Sequence, residues 1–267
     1  MEINQNSLKN KKNINEYKSS FISLKEDEPE KINIKSNELF ENETRNNMVK
    51  WLVFLCDTLH FNIQTLIRSV IIFDKFISIS DIFLKEDLTQ EKMNLITIAC
   101  LSLGTKFEEI NCNYVKFFTD KVLNLPDCQI FSVKDLTSME MLILKQLNYK
   151  TIYSTSNDFL MLYLKIFQNF FNINNTQYIE NIKNLAKNIL KENINTNIYL
   201  SLYQSDFAFL CLQQAFIQLG LYYLMPKIKN ILLLLIVNNN SRKNECDNNE
   251  RLFNNDLEED TISLHSI

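Results

Sequence analysis

The run from Met93 to Glu109, M-N-L-I-T-I-A-C-L-S-L-G-T-K-F-E-E, constrains the fold more than any other stretch of the sequence. Its apolar residues leave no polar stripe wide enough to face solvent, and a helix that is apolar nearly all round is a buried one. Its small residues would let neighbouring helices approach closely. We predict a buried helix that ends at Gly104. Beyond it, Lys106, Glu108 and Glu109 are expected to reach the surface together as a charged cluster.

Composition favours helices around this one. The 267 residues include 2 glycines and 3 prolines, which favours long helices over strands and turns. Hydrophobic residues make up 46% of the chain, enough for a sizeable core. The formal net charge of −4 argues against a nucleic-acid groove, because such a groove needs clustered Lys and Arg.

The sequence also indicates where the chain works. The apolar run 231–237 is too short to span a bilayer, and the N-terminus lacks a signal-peptide core. The 6 cysteines include no C-x-x-C pair, so the usual spacing of zinc ligands is absent. We expect a protein of the nucleus and/or cytoplasm with no membrane, metal, cofactor or small-molecule substrate.

Helical periodicity falls into two blocks between polar ends. Residues 1–36 and 238–267 are polar enough to predict flexible tails. Thr155 or Ser156 is expected to cap the first helix of the second block. Apolar residues at helical spacing predict helices within 48–59, 66–77, 93–104, 114–122 and 136–147, and then within 159–170, 178–189 and 207–220.

A short internal repeat links the two blocks. Residues 99–104 read A-C-L-S-L-G and residues 215–220 read A-F-I-Q-L-G, so both fit A-x-[LI]-x-L-G. The two glycines of the chain occupy the same place in this pattern. Because the pattern falls on the most apolar helix of each block, we predict two copies of one helical domain.

No catalytic constellation is visible. His60 and His265 are the two histidines, one at a helix end and one in the C-terminal tail, so histidine-based acid–base or nucleophilic chemistry is improbable. Two glycines so far apart cannot form a phosphate-binding loop. We therefore predict that the protein is not an enzyme.

Several charged residues in apolar stretches leave alternatives open. Asp74 lies on the apolar face of its predicted helix, and a buried structural ion pair is the commoner reason for such a carboxylate than a functional role. The cluster from Lys106 to Glu109 is either a docking group or an ordinary helix terminus, where cations are favoured in any case. Glu140 has the same two interpretations.

An ordered set of motifs resembles the cyclin box. The set is R-N-N-M-V-K-W-L at 45–52, S-V-I-I-F-D-K-F-I-S at 69–78, A-C-L-S-L-G-T-K-F-E-E-I at 99–110, M-E-M-L-I-L-K-Q-L-N-Y at 139–149 and D-F-L-M-L-Y-L at 158–164. The resemblance is strong over 43–163 and fainter up to about 219. It implies an all-α protein of two tandem five-helix cyclin folds over 37–150 and 151–237, the second of them diverged.

The resemblance implies a non-catalytic regulatory subunit that binds and activates a cyclin-dependent protein kinase in cell-cycle control. In the family a box lysine and a box glutamate bind the regulatory helix of the kinase, and they match Lys106 and Glu140. The implied partner is the kinase, in a heterodimer that a third assembly subunit can join. The further kinase contacts implied here are Phe107, Glu109, Ile110 and Phe118.

The resemblance also implies structural roles. An arginine and an aspartate that brace the family's box match Arg45 and Asp74. The implied core residues are Leu95, Ala99 and Trp51.

The substrate-docking patch of the family is altered here. Cyclins that recruit R-x-L peptides carry M-R-A-I-L near the first helix, whereas residues 44–48 read T-R-N-N-M. Phe54 stands where an acidic residue is usual. Met48 and Trp51 are what remains of a possible docking patch.

Two further classes of protein are weighed against this one. A transcription-associated cyclin, or a scaffold on the same fold such as transcription factor IIB, is the alternative. The scaffold would need a basic DNA-binding surface and usually a zinc ribbon, and the sequence shows neither. The spellings T-K-F-E-E and M-E-x-x-I-L are closer to cell-cycle members of the family.

Overall fold

The computed structural model describes residues 2–31, 42–79, 89–109, 118–125, 128, 130–171, 173 and 175–237. These residues are all-α, as predicted, with no strand among them. A π-helical turn covers Phe118–Val122 and a 3-10 turn covers Tyr222–Leu224. The α-helices are α1 Glu2–Glu26, α2 Asn42–Thr58, α3 Ile63–Ile79, α4 Gln90–Glu108, α5 Val133–Gln146, α6 Ser156–Phe170, α7 Thr176–Asn193, α8 Asn197–Ser201, α9 Gln204–Gln218 and α10 Met225–Val237.

Helix α4 is the buried helix that the sequence predicts. Its N-terminus is fixed by Thr89, whose hydroxyl accepts a hydrogen bond of 3.2 Å from the backbone N–H of Lys92. From Ile96 to Thr105 every residue of α4 is buried. Helices α2, α3 and α5 pack against it. The first block of helices is therefore built around α4.

The predicted end of this helix is wrong. Gly104 lies inside α4, which continues to Glu108. A Cβ at residue 104 would collide with Ser69 Oγ and would lie 3.1 Å from the carbonyl oxygen of Thr65. Glycine is present because α3 approaches α4 closely here, and not because the helix stops.

Helix α9 has the corresponding position in the second block. Helices α6 and α7 pack against it, and the rings of Phe167 and Phe216 meet edge to face with centroids 4.9 Å apart. Thr155 caps α6 through a capping box with Asp158, as predicted. The turn after α9 contains Gly220, whose φ of +73° suits glycine. The description of the two blocks as tandem copies stays a prediction.

The segment predicted as a flexible tail over residues 1–36 contains a helix, α1, over Glu2–Glu26. Tyr17 and Phe21, four residues apart on one face, are buried against the second block. The ring of Phe21 lies 6.0 Å from that of Phe159, centroid to centroid. The mostly polar composition of α1 makes this apolar stripe difficult to recognise in the sequence. Residues 32–36 and the C-terminal tail predicted over 238–267 lie outside the described residues.

A short strap from Asp27 to Lys31 continues α1 along the seam between the two blocks. The Asp27 carbonyl accepts a hydrogen bond of 2.9 Å from the backbone N–H of Ser154. The Glu28 carboxylate accepts one of 2.6 Å from the backbone N–H of Ser205, in the first turn of α9. An acidic group there satisfies an otherwise unpaired donor and suits the helix dipole. The N-terminal segment is thus part of the folded body.

Across the described ranges, none of the helices combines the length and the apolar character that crossing a bilayer requires.

Candidate functional site

The candidate site is centred on an ion pair between α4 and α5. Lys106, in the last turn of α4, donates a hydrogen bond of 2.6 Å from Nζ to Glu140 Oε2, near the middle of α5. The Lys106 side chain is 38% exposed and the Glu140 side chain 8% exposed. A buried carboxylate therefore holds a cation at the surface, at the end of the helix where the dipole favours positive charge.

The second carboxylate oxygen of Glu140 is held from the same helix. Ser102, which is buried on α4 one turn before Lys106, donates from Oγ to Glu140 Oε1. Both oxygens of the carboxylate thus have partners on α4. Because buried charges are costly unless paired, this arrangement fixes the orientation of Glu140.

The start of α5 is equally well defined. Ser132 and Asp135 form a capping box, in which Asp135 Oδ2 accepts a hydrogen bond of 2.9 Å from the Ser132 backbone N–H. The hydrogen bonds from Ser132 lower the pKa of Asp135. Glu140 therefore projects from a helix whose register is set locally.

The predicted charged cluster does not form. Glu108 is bound by Arg68 of α3, whose Nη1 also donates to the carbonyl oxygen of Tyr153 at 3.2 Å. Glu109 is engaged at the N-terminus of α3 instead. The expectation that Lys106, Glu108 and Glu109 reach the surface together is therefore wrong, because cross-helix partners draw the two acids inward.

Glu109 is bound at the N-terminus of α3, where Asn62 caps the helix by accepting a hydrogen bond of 2.9 Å from the Thr65 backbone N–H at Oδ1. Glu109 Oε1 accepts hydrogen bonds of 3.1 Å from the Asn62 backbone N–H, 2.8 Å from Asn62 Nδ2 and 2.6 Å from Thr65 Oγ1. A carboxylate at a helix N-terminus is favourable. The contact between Glu109 and a kinase stays a prediction.

Two exposed apolar side chains flank the ion pair in sequence. Phe107 follows Lys106 and is 44% exposed, and Met141 follows Glu140 and is also 44% exposed. Sequence reasoning proposed Phe107 as a kinase contact and did not name Met141, which directly follows Glu140. Ile110 lies outside the described residues, and so does the side chain of Phe118.

Arg45 and Asp74 form the expected structural ion pair. Arg45 Nε and Nη2 donate hydrogen bonds of 2.8 Å each to the two Asp74 carboxylate oxygens. Burial disfavours the charge on Arg45, but the neighbouring carboxylate outweighs it and raises the pKa of the guanidinium. Arg45 Nη2 also donates to the carbonyl oxygen of Ile194 at 3.3 Å, so the brace reaches the second block.

The remaining site predictions fall partly inside the core. Ala99 is fully buried, whereas Leu95 and Trp51 are partly buried and pack against the core. Met48 is buried and offers little surface for docking, so it does not form an open patch with Trp51. Phe54, on the same helix, is 57% exposed.

The described part of the chain contains no group of His, Cys, Asp and Glu that could hold a metal ion.

Comparison with protein families gives a match over the first block. Residues 16–152, just over half of the chain, match the family model described as the cyclin N-terminal domain. Two proteins named G2/mitotic-specific cyclin-2, from Medicago sativa and Medicago sativa subsp. varia, are each 26% identical over 121 residues, which is 45% of this chain. These matches cover 34% and 25% of the two relatives, so the chain spans about a third or less of their length.

A solved structure is similar over more of the chain. A viral cyclin from Herpesvirus saimiri superposes with a TM-score of 0.60 and 18% identity, covering 83% of this chain and 94% of the viral one. At this identity the similarity shows the fold. It extends beyond the first block into the helices that follow.

Proposed function

This chain belongs to the cyclin family, and we propose that it is a non-catalytic regulatory subunit that binds and activates a cyclin-dependent protein kinase. The observation that carries the proposal is the pair formed by Lys106 and Glu140. It lies where two helices of the box meet, with the ammonium group at the surface.

The chemistry of this pair suits the recognition of backbone groups. A lysine ammonium has three N–H donors and can satisfy the carbonyl groups left unpaired at the end of a helix. A carboxylate accepts hydrogen bonds from backbone N–H groups. A helix end presented by a kinase would find both kinds of partner here.

The apolar side chains beside the pair would supply binding area. Phe107 and Met141 are each 44% exposed, and full burial of such a side chain is favourable by about 1.5–3 kcal/mol, so covering what is still exposed would supply less than half of that for each. Glu109 also stays a proposed contact, and its carboxylate is bound by Asn62 and Thr65 at the start of α3. Ile110 and Phe118 remain proposed contacts on the resemblance alone.

Activation would follow from the way the kinase docks. A kinase is active when the glutamate of its regulatory helix pairs with its ATP-binding lysine. Docking on Lys106 and Glu140 would turn that helix inward and favour this pairing. The proposal places no chemical step on the cyclin itself.

The relatives support a role in cell division. Both curated relatives are named as mitotic cyclins, which favours a cell-cycle kinase over a transcriptional one. The proposed complex is a heterodimer that works in the nucleus and/or the cytoplasm, with a third assembly subunit as an optional member.

Affinity purification of the tagged chain from its own cells, with mass spectrometry and a kinase assay on the eluate, tests the proposal. We expect one stoichiometric cyclin-dependent kinase that is active only with this chain bound. Recovery of polymerase or promoter-factor subunits without a kinase would favour the scaffold on the same fold.

A pair of variants locates the contact. Lys106→Ala combined with Glu140→Ala should abolish kinase activation while helicity by circular dichroism is retained. The matched control is Lys183→Ala combined with Glu180→Ala, since this pair also has a 2.6 Å contact but lies on α7. Equal activation by both double variants would count against the proposed site.

A further inference from the structure

We propose that Ser102 is a positioning residue for kinase binding, one that acts by fixing the carboxylate of Glu140 and through it the ammonium group of Lys106. This inference rests on the proposed function. It concerns a buried hydroxyl that would not contact the kinase itself, on a helix whose small residues sequence analysis linked only to close packing.

The two carboxylate oxygens of Glu140 accept hydrogen bonds from two different kinds of donor. Oε1 accepts from the neutral hydroxyl of Ser102, and Oε2 accepts from Lys106 Nζ at 2.6 Å. Ser102 and Lys106 are one turn apart and so lie on one face of α4. The carboxylate is thereby held between them, with one oxygen directed inward and the other toward the surface.

Buried hydroxyls on α3 and α4 fall into two groups, since Thr65 Oγ1 of α3 also reaches a carboxylate, that of Glu109, whereas two others stay within their own helix. Ser69 Oγ donates to the Thr65 carbonyl oxygen at 2.7 Å, and Thr97 Oγ1 donates to the Met93 carbonyl oxygen at 2.8 Å. Each of these bonds stays within one helix and binds no side chain. Ser102 Oγ reaches a charged side chain on a neighbouring helix, which indicates a role beyond local packing.

Removal of this hydroxyl would change the position of the cation. Without Ser102 Oγ, the buried Oε1 would lose a charge-assisted donor and the carboxylate would turn toward Lys106. Lys106 would then be drawn across both oxygens. Its ammonium would be displaced from the direction in which a helix end of the kinase is expected to approach.

The test is a double-mutant cycle on the affinity for the kinase that co-purifies with the tagged chain. Ser102→Ala should weaken binding about tenfold, the size expected for one hydrogen bond to a charged group. Ser102→Cys, which replaces the hydroxyl by a larger thiol that is only a weak donor, should also weaken binding. In a Glu140→Ala background, titrated to high kinase concentration, Ser102→Ala should cause no further loss.

Two results would overturn the inference. An equal loss in the wild-type and Glu140→Ala backgrounds would mean that Ser102 acts through packing and not through Glu140. Unchanged affinity of Ser102→Ala would mean that the hydroxyl is not needed.

Failure of the proposed function gives a different signature, namely a wild-type chain that binds no cyclin-dependent kinase. The contact between Ser102 and Glu140 is then tested by the unfolding free energies of four proteins, namely the wild type, Ser102→Ala, Glu140→Ala and the double variant. If the effects of the two substitutions on the unfolding free energy are not additive, Ser102 does position the Glu140 carboxylate, even though no kinase is bound. Additive effects would refute this positioning.

Discussion

The guanidinium of Arg45 and the carboxylate of Asp74 meet in two parallel hydrogen bonds of 2.8 Å, with both side chains fully buried. Breaking such a pair is strongly destabilising, because removal of one partner leaves a charge without compensation in the core. The pair joins α2 to α3 and continues through Arg45 to the carbonyl oxygen of Ile194.

Asp74→Ala should lower the free energy of unfolding by about 3–5 kcal/mol, because the Arg45 guanidinium would stay buried and unpaired. Urea unfolding followed by circular dichroism measures this. Glu180→Ala is the control, since its partly exposed pair with Lys183 within α7 should contribute about 0–1 kcal/mol. Replacement of both partners by apolar residues, Arg45→Met with Asp74→Leu, should be milder than Asp74→Ala. Equal stability of the Asp74→Ala and Glu180→Ala variants would contradict the prediction.

Gly104→Ala should destabilise the chain by about 1–3 kcal/mol through overpacking, although alanine is the better helix former. The new Cβ would collide with Ser69 Oγ. Thermal unfolding checks the sign, and Ser69→Ala in the same chain should recover part of the loss. A more stable Gly104→Ala variant would mean that α3 moves away from α4 at little cost.

Phe21→Ala should cost about 3–5 kcal/mol of unfolding free energy, as expected for a buried phenylalanine. The side chain is buried between α1 and α6 and meets the ring of Phe159. Phe54→Ala serves as the control, because Phe54 is exposed and its loss should change stability by about 0.5 kcal/mol or less. Equal effects of the two changes would show that α1 is not docked in solution.

Phe107→Ala and Met141→Ala should weaken kinase binding without lowering the stability of the free chain. Both side chains are exposed, so their loss removes interface area and leaves the core intact. Titration calorimetry and thermal unfolding separate the two effects. The exposed Ile217 of α9 provides a matched apolar control, and Ile217→Ala should leave the affinity unchanged. A loss of affinity confined to Ile217→Ala would move the contact surface to the second block.

The helices and their caps could be predicted because their signals are local. The periodicity of α4 and the capping box at Thr155 each lie within one short stretch of sequence. Helix α1 was not predicted because most of the residues around Tyr17 and Phe21 are polar. The burial of these two side chains depends on helices far along the chain, which the local sequence does not reveal.

The candidate site could be predicted only in part, because only some of its contacts have a local signal in the sequence. Lys106 and Glu140 were found through the family motifs, whereas the fate of the neighbouring acids depends on contacts between distant segments. Arg68 binds Glu108 across 40 positions, and Asn62 binds Glu109 across 47. Gly104 was misjudged because its reason lies on α3, in the space that Ser69 occupies.

The strap that follows α1 has a consequence for synthesis on the ribosome. Glu28 is made 177 residues before Ser205, the residue whose backbone N–H donates a hydrogen bond to the Glu28 carboxylate. The first block can begin to pack while Tyr17 and Phe21 still wait for the helices that will cover them. Such non-local closure is slow and leaves apolar surface open to chaperones or to self-association in the meantime. The nascent chain therefore carries its N-terminal helix unshielded until the helices of the second block that cover it have been made.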